Sequence, residues 1–241
     1  MTRRVAALGC ALLLVTAGCA GLGGTNEEPV TVPGVTASGV EDARALADAH
    51  RDALAGDAFV KQSSRQQANE PTRAYLNQTL HHQNSSSWLL TTTRSRMDGV
   101  IKNGTYQLYA DGERALWQLD EADTENTSYG VRSITADGDQ VVIPPDQVFE
   151  NNLAPLYERG LVYTLAANAD SVEALHGGGG AVELTSSGDE LAVDRQQVTD
   201  AEFTMTVAGD GQVQSIEMAY EGRNATVERT ITFDTDVVNP V

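Results

Sequence analysis

The pattern of apolar and polar positions divides the chain into a helix, a block of strands, a helical stretch and a second block of strands. Apolar residues recur at helical spacing from Val40 to Leu54. They follow Ser38 and Glu41, which fit the S-x-x-E capping box that begins many helices. The spacing therefore predicts a helix over residues 40–55.

The next block, residues 59–143, consists of short segments rich in β-forming residues. Residues 88–96 are predicted as a strand, and residues 73–83 as a strand with a helix as the alternative. Asp111-Gly112 and the stretch 137–139 are hairpin turns by composition. The strands that flank these turns are predicted over 106–110 and 115–119, and over 129–135 and 140–143.

A helical stretch separates the two blocks of strands. Residues 146–175 are predicted to be helical, with Pro155 kinking or dividing the helix. Gly177–Gly180 then break the chain. Beyond them Phe203, Met205 and Val207 alternate with polar residues, and similar alternation follows twice more. This is typical of an antiparallel meander with one apolar face and one wet face.

The N-terminus has the organisation of an export signal. Arg3 and Arg4 precede an apolar run of about a dozen residues, which ends in small residues before Cys19. The placement of Cys19 resembles the lipobox of secreted lipoproteins, although Thr16 stands where leucine is usual. This resemblance implies cleavage before Cys19 and a lipid on its thiol. The arginine pair also suggests the twin-arginine export route.

These features predict a signal peptide over residues 1–18, a lipidated cysteine with a flexible spacer over 19–37, and one domain over 38–241. Cys10 lies in the predicted signal peptide, so the mature chain would keep Cys19 as its single cysteine. The alternative is an uncleaved anchor, because no residue from Val5 to Gly24 is charged and about 20 such residues can span a membrane.

Composition adds information about the environment. The chain of 241 residues has 34 Asp and Glu against 16 Lys and Arg, a formal net charge of −18, and its basic residues are 14 arginines and two lysines. Such a charge opposes binding to nucleic acid. The bias resembles that of proteins from extremely halophilic archaea, where surface carboxylates maintain hydration in molar salt. An ordinary acidic protein from a GC-rich genome is the alternative.

Exported proteins can carry N-linked sugars, and the sequence contains five N-x-[ST] sequons. The acceptor asparagines are Asn77, Asn84, Asn103, Asn126 and Asn224. We therefore expect a glycoprotein at the cell surface, on the extracytoplasmic face of the cell membrane.

Runs of strands that do not alternate with helices predict an α+β fold with a curved antiparallel sheet, packed against the first helix and the central helical segment. The element order and the lipobox resemble the half-barrel of the bacterial lipoprotein-carrier (Lol) family over residues 38–236. In that family helices plug a curved sheet that holds an acyl chain. The chain also resembles lipoproteins of halophilic archaea in its spacer, first helix and Tyr106–Tyr129 region. Neither resemblance transfers a catalytic residue.

Catalytic and metal-binding motifs are missing from the sequence. His81 and His82 are adjacent on a predicted strand, so their rings would point to opposite faces and could not share one ion. His50 lies on the apolar stripe of the first helix and is predicted to be a core residue. We therefore expect no cofactor, no metal and no enzymatic activity, with an envelope hydrolase as a remote third hypothesis.

The remaining candidate is the apolar face of the curved sheet, which would either line a ligand cavity or form a core filled by helices. The residues proposed for this face are Trp88, Tyr106, Leu108, Trp117, Phe203, Met205, Ile216, Met218 and Tyr220, with Leu89 beside them. The leading hypothesis is a lipid-anchored, non-enzymatic surface domain. The alternative is a carrier or sensor that binds a lipid or another apolar ligand in the half-barrel.

The lipobox interpretation is tested at Cys19. In native cells we expect the wild-type protein to be cleaved before this residue and to carry lipid, because the thiol is the lipid acceptor of a lipobox. The Cys19→Ser variant should keep its signal peptide and lack the lipid, as measured by mass spectrometry of the N-terminal peptide. If both proteins remain membrane-bound and uncleaved, the N-terminus is an uncleaved anchor instead.

Overall fold

The computed structural model describes residues 31–69, 72–96, 103–122, 124, 126–175, 180–193, 196–222 and 225–236. The predicted signal peptide, with Arg3 and Arg4, lies outside these residues, as do Cys19 and Asn224. The interpretations that rest on them therefore stay predictions.

Strands dominate the described part of the chain. The strands are β1 Val35–Thr36, β2 Gly39–Val40, β3 Phe59–Asn69, β4 Thr72–Asn84, β5 Ser87–Arg96, β6 Gly104–Asp111, β7 Ala115–Glu121, β8 Thr127–Val131, β9 Ser133–Ala136, β10 Asp139–Val142, β11 Ser171–Ala174, β12 Val182–Val193, β13 Gln196–Val207, β14 Val213–Gly222 and β15 Ala225–Asp234. The helices are α1 Ala43–Gly56, α2 Pro145–Asn152 and α3 Arg159–Ala167, with a 3₁₀ turn, Ala154–Tyr157, between α2 and α3.

Within the described residues, eleven strands form one open, curved antiparallel sheet in the order β11-β12-β13-β14-β15-β3-β4-β5-β6-β7-β8. Two meanders, β3–β8 and β11–β15, are joined where the last strand pairs with the first long one, for example Ile231 opposite Ser63. The remaining strands form the small hairpins β1–β2 and β9–β10. This architecture confirms the predicted α+β half-barrel.

One face of the sheet carries the core, and we call it the inner face because the helices pack against it. In β13 the side chains of Phe203, Met205 and Val207 are buried, while their polar neighbours in the strand are exposed or half-buried. Residues from β5, β14, β15 and all three helices belong to the same hydrophobic cluster. The strand alternation therefore separates an apolar inner face from a polar outer face, as the sequence predicted.

The first helix begins later than the predicted capping box suggested. Residues up to Val40 form the β1–β2 hairpin, and α1 begins at Ala43. The Asp42 carboxylate accepts hydrogen bonds from the amides of Arg44 at 3.0 Å and Ala45 at 2.9 Å. Asp42 thus satisfies the free amides of the first turn, which is the role that the prediction gave to Ser38.

The predicted helical stretch over 146–175 was correct only in part. The chain divides around Pro155 into α2, a 3₁₀ turn and α3, as the proline suggested, and α3 ends at Ala167. Beyond it Ser171–Ala174 form the edge strand β11, which pairs with β12. A four-residue edge strand has too few positions for its period to distinguish it from a helix end.

The segment predicted as one strand over 129–135 is two strands. Arg132 separates β8 from β9, and its amide donates to the carbonyl of Ala115 at 2.8 Å. As a result β8 pairs with β7 at the sheet edge, whereas β9 pairs with β10 in a separate hairpin. Val32 and Val35, which precede the predicted domain boundary at residue 38, are buried.

A buried group of three charged side chains connects the helices to the sheet. Glu158 lies between the 3₁₀ turn and α3 with a φ of 58°, and it accepts a hydrogen bond from Lys61 of β3 at 2.5 Å and one from Arg229 of β15 at 2.8 Å. Their side chains are 3% (Lys61), 10% (Glu158) and 11% (Arg229) exposed. We call this group the charged triad. At this depth a cation requires a compensating carboxylate, and both cations are bound to Glu158.

Replacement of Glu158 by alanine should destabilise the fold by about 3–5 kcal/mol, because it removes the carboxylate that compensates two buried cations. Urea unfolding followed by circular dichroism measures this free energy of unfolding. Glu217→Ala is the control: it removes the same charge from the exposed outer face of β14 and should change stability by less than about 0.5 kcal/mol. Equal effects of the two substitutions would contradict the role of the triad.

Candidate functional site

Arg229 of the charged triad is the middle member of a row of side chains that crosses the inner face. Paired registers place Phe203, Met218, Arg229 and Arg65 side by side on β13, β14, β15 and β3. We call the complete row, extended in both directions, the inner row. Its members are Ser186, Phe203, Met218, Arg229, Arg65, Leu76 and Arg94. The row is apolar at Phe203 and Met218, and from Arg229 towards β5 it is basic except at Leu76.

A cavity of about 300 Å³ lies at the β12–β13 end of the inner row. The C-terminal end of α3 and the residues that follow it, 167–170, form one wall. Leu191, Ala201 and Phe203 of the sheet form the apolar part of the opposite wall. The rest of that wall consists of Ser186, Gly188 and Glu190. This volume is at the lower limit of ordinary small-molecule sites, which range from about 300 to 1,000 Å³.

Gly188 leaves this cavity open because it has no side chain. A Cβ added there would meet only Ser186 Oγ, at 3.9 Å, which is an ordinary contact distance. Gly188 is paired with Ala201, whose small side chain is buried in the same wall. The volume therefore depends on two small residues facing each other across β12 and β13.

Arg65 is the unusual member of the inner row. Its side chain is half-buried, and its buried Nε has no hydrogen-bond partner among the residues that the structure describes. It lies directly opposite Arg229, whose guanidinium donates to Glu158. An unsatisfied buried donor costs about 1–3 kcal/mol, and like charges directly opposite on paired strands repel each other. The site therefore has unused capacity to bind an anion.

His50 fixes α1 against this assembly. Its Nε2 donates to the carbonyl of Tyr157 at 2.9 Å, and its Nδ1 accepts from the amide of Val213 at 3.1 Å. Both bonds require the neutral ring with the proton on Nε2. Burial lowers the pKa of His50 to about 4, more than the Tyr157 bond raises it. The expected core role of His50 agrees with its complete burial.

Aromatic side chains fill the space beside the triad. The Phe59 ring lies 4.8 Å from His82 and 5.5 Å from Tyr157, and the His82 ring lies 4.9 Å from Phe149. Burial lowers the pKa of His82 and raises that of Tyr157 to about 12, so both side chains are neutral near pH 7. This cluster closes the inner face around α2 and the 3₁₀ turn.

The nine residues proposed for the apolar face lie on the inner face of their strands. The buried ones are Trp88, Leu108, Phe203, Met205, Ile216, Met218 and Tyr220, all within the hydrophobic core cluster. Tyr106 and Trp117 are half-buried and pack against it. Phe203 also borders the 300 Å³ cavity. The Trp117 ring lies close over Gly130, where an added Cβ would come within 2.9 Å of its Nε1.

The remaining candidates are dispersed. His82 is buried and His81 is half-buried on the opposite face of β4, and the described residues contain no group of three His, Cys, Asp or Glu able to hold a metal.

Of the sequons, Asn77, Asn84 and Asn126 are exposed, and Asn103 is half-buried. A wider groove of about 790 Å³ is bordered by carboxylates such as Glu202 and Glu228 and also by Phe203, Met218 and Arg229 of the inner row.

Sequence reasoning missed Lys61, Arg65 and Glu158. The signal for the first two was present, because strand alternation from Phe59 places them on the face that carries the first apolar residue. Three polar residues at inner positions of one strand, Lys61, Ser63 and Arg65, distinguish β3 from a simple core strand. No local pattern in the sequence indicates the cavity, because Gly188 and Ala201 become opposed only through the β12–β13 register.

Similarity to known proteins is found only at the level of three-dimensional structure. No protein-family model matches the sequence, and a search of curated proteins finds no match. Among solved structures, the chain is similar to LprF from Mycobacterium bovis, with a TM-score of 0.41 and 12% identity over 85% of this chain and 99% of that one. It is also similar to a LolA superfamily protein from Nitrosomonas europaea, with a TM-score of 0.27 and 5% identity over 81% of this chain and 94% of that one.

No helix among the described residues is long and apolar enough to cross a membrane.

The hydrogen bonds of His50 predict a pH dependence of stability. The folded pKa, about 4, lies below the unfolded value of about 6.5, so the unfolded chain binds the extra proton between these pH values. The contribution is fully present above pH 6.5 and is lost as the pH falls towards 4. Relative to a His50→Leu variant, the wild type should lose about 3 kcal/mol of unfolding free energy over this window.

Urea unfolding of both proteins at several pH values from 4 to 7 measures this difference. Subtracting the two profiles cancels the contribution of the many carboxylates, which both proteins share. Profiles that remain parallel over the whole window would contradict the buried neutral state of His50.

Proposed function

We propose that this chain is a non-enzymatic, membrane-tethered binding domain whose half-barrel accepts an apolar chain. The observation that carries the proposal is the cavity of about 300 Å³ between the end of α3 and strands β12 and β13. Leu191, Ala201 and Phe203 supply its apolar wall, and burial of an apolar chain there would provide the binding energy.

The inner face also supports a more conservative alternative, a surface domain whose half-barrel is completely filled. Trp88, Met205 and Ile216 are fully buried, so α1 and the aromatic cluster already cover much of the face on which a ligand could lie. The two functions differ at the cavity, because a filled domain has no use for a space kept open by Gly188.

The tether and the location belong to the same proposal. The placement of Arg3 and Arg4 before the apolar run supports export. The position of Cys19 supports lipidation of its thiol, which would anchor the protein at the extracytoplasmic face of the cell membrane. The net charge of −18 supports an origin in a halophilic archaeon and argues against a nucleic-acid partner. Exposed Asn77, Asn84 and Asn126 are the sequons best placed for glycosylation.

The experiment is organic extraction of the protein purified from its native membrane, followed by mass spectrometry of the extract. We expect a stoichiometric apolar molecule from the wild type. Gly188→Val should reduce its occupancy by about tenfold, because the new side chain fills the cavity with little strain in the free protein.

Ser187→Val is the matched control. It introduces the same side chain at the neighbouring, exposed position on the outer face of β12, so it should leave occupancy unchanged. The absence of a stoichiometric apolar molecule in the wild type would overturn the proposal of ligand binding. The alternative, a surface domain with a filled half-barrel, would then stand. Equal loss in both variants would place the ligand elsewhere.

A further inference from the structure

The inner row combines positive charge and apolar surface in a chain that is otherwise strongly acidic. Arg229, Arg65 and Arg94 share the row with Leu76 between the last two, although the sequence has a net charge of −18. Arg229 is bound to Glu158, and Arg94 is exposed. Arg65 lies between them, half-buried, and among the described residues no hydrogen bond or ion pair to its guanidinium is present.

In the described part of the chain, no carboxylate near the row is paired with Arg65. Glu158 is shared by Lys61 and Arg229. Asp170, at the opposite end of the row, accepts a hydrogen bond from Ser186 Oγ at 2.6 Å. Glu121 extends the row beyond Arg94 on β7, four strands from Arg65, or about 19 Å at the usual strand spacing.

The distance from Arg65 to the cavity suits a molecule with two chemical ends. Phe203, which borders the cavity, lies three strands from Arg65 on the same row, about 14 Å at the usual spacing. Met218 and Arg229 lie between them. Arg229 is bound to Glu158, and the unbranched side chain of Met218 can adopt other rotamers to admit a ligand. The row is therefore apolar at Phe203 and Met218, and beyond Arg229 it presents the guanidinium fork of Arg65, which is suited to phosphate or carboxylate.

We propose that the half-barrel binds an anionic amphiphile, with its phosphate or carboxylate on Arg65 and its apolar chain passing Arg229 and Met218 into the cavity at Phe203. This rests on the proposed function, because the chain occupies the cavity invoked there. It adds the chemical class of the ligand and the residue that recognises its charge. Arg229 strengthens the positive potential while it remains bound to Glu158.

The test measures binding of defined probes to full-length protein stripped of co-purified lipid, by isothermal titration calorimetry. The probes are dodecyl phosphate, neutral dodecanol and inorganic phosphate. We expect dodecyl phosphate to bind the wild type most tightly. Arg65→Gln should lower the affinity for dodecyl phosphate by about tenfold to a hundredfold, which is the range for loss of a hydrogen bond to a charged group. It should leave the affinity for dodecanol unchanged.

Two further variants separate the parts of the site. Arg114→Gln removes an equal charge from the exposed β6–β7 turn and should leave all three affinities unchanged. Gly188→Val should lower the affinities for dodecyl phosphate and dodecanol alike, because the apolar chains of both probes would occupy the cavity. Thermal unfolding of ligand-free Arg65→Gln should match the wild type or exceed it, since the substitution removes an unpaired charge.

The outcomes distinguish the two proposals. If dodecanol and dodecyl phosphate bind equally and Arg65→Gln changes neither, the anion site is overturned while the apolar cavity stands. If inorganic phosphate binds at Arg65 as tightly as dodecyl phosphate does, the site binds a free anion, and the proposal of an amphiphilic ligand is overturned. If no probe binds the wild type, both this inference and the proposed function fail.

Discussion

The carboxylate of Glu158 is the point at which the helices and both halves of the sheet meet. It binds Lys61 of the first meander and Arg229 of the second, across the β15–β3 pairing that joins them. Tyr157, the preceding residue, accepts the His50 hydrogen bond that holds α1, and the Glu158 carbonyl accepts the Val162 amide as α3 begins. Two buried cations and three helical elements thus depend on one short segment of backbone.

This constraint also decides where the half-barrel is filled and where it stays open. The aromatic cluster and α1 pack over the part of the inner face that carries Trp88, Met205 and Ile216. Because α3 ends at Ala167, its last residues stand over Gly188 and Ala201 and leave the cavity beneath them. The helix that begins after Glu158 therefore sets the limit of the proposed ligand site at its other end.

Charge is divided between the two faces of the sheet. Carboxylates such as Glu202, Glu217 and Glu228 occupy outer positions, where water and salt reduce their mutual repulsion. Lys61, Arg65 and Arg229 occupy inner positions, where screening is weak and each charge needs a specific partner. The negative net charge reflects the carboxylates of the outer face. The inner row is basic and is therefore suited to an anionic partner.

The sequence by itself determined the periodic features of the protein. Alternation along β13 and β14, the hairpin turn at Asp111-Gly112 and the apolar stripe of α1 each arise within a few consecutive residues, so the α+β half-barrel could be predicted. Exceptions occurred where a local signal was weak or ambiguous, as at the start of α1 and in the four-residue strand β11.

Only the tertiary structure decided the candidate site. Arg65 and Arg229 are 164 positions apart in the sequence, and Gly188 and Ala201 face each other only because β12 and β13 pair in one register. A shift of one residue in either pairing would turn these side chains to the opposite face. The sequence shows which residues are basic or small, whereas long-range strand register and the end of α3 decide that they border one open space.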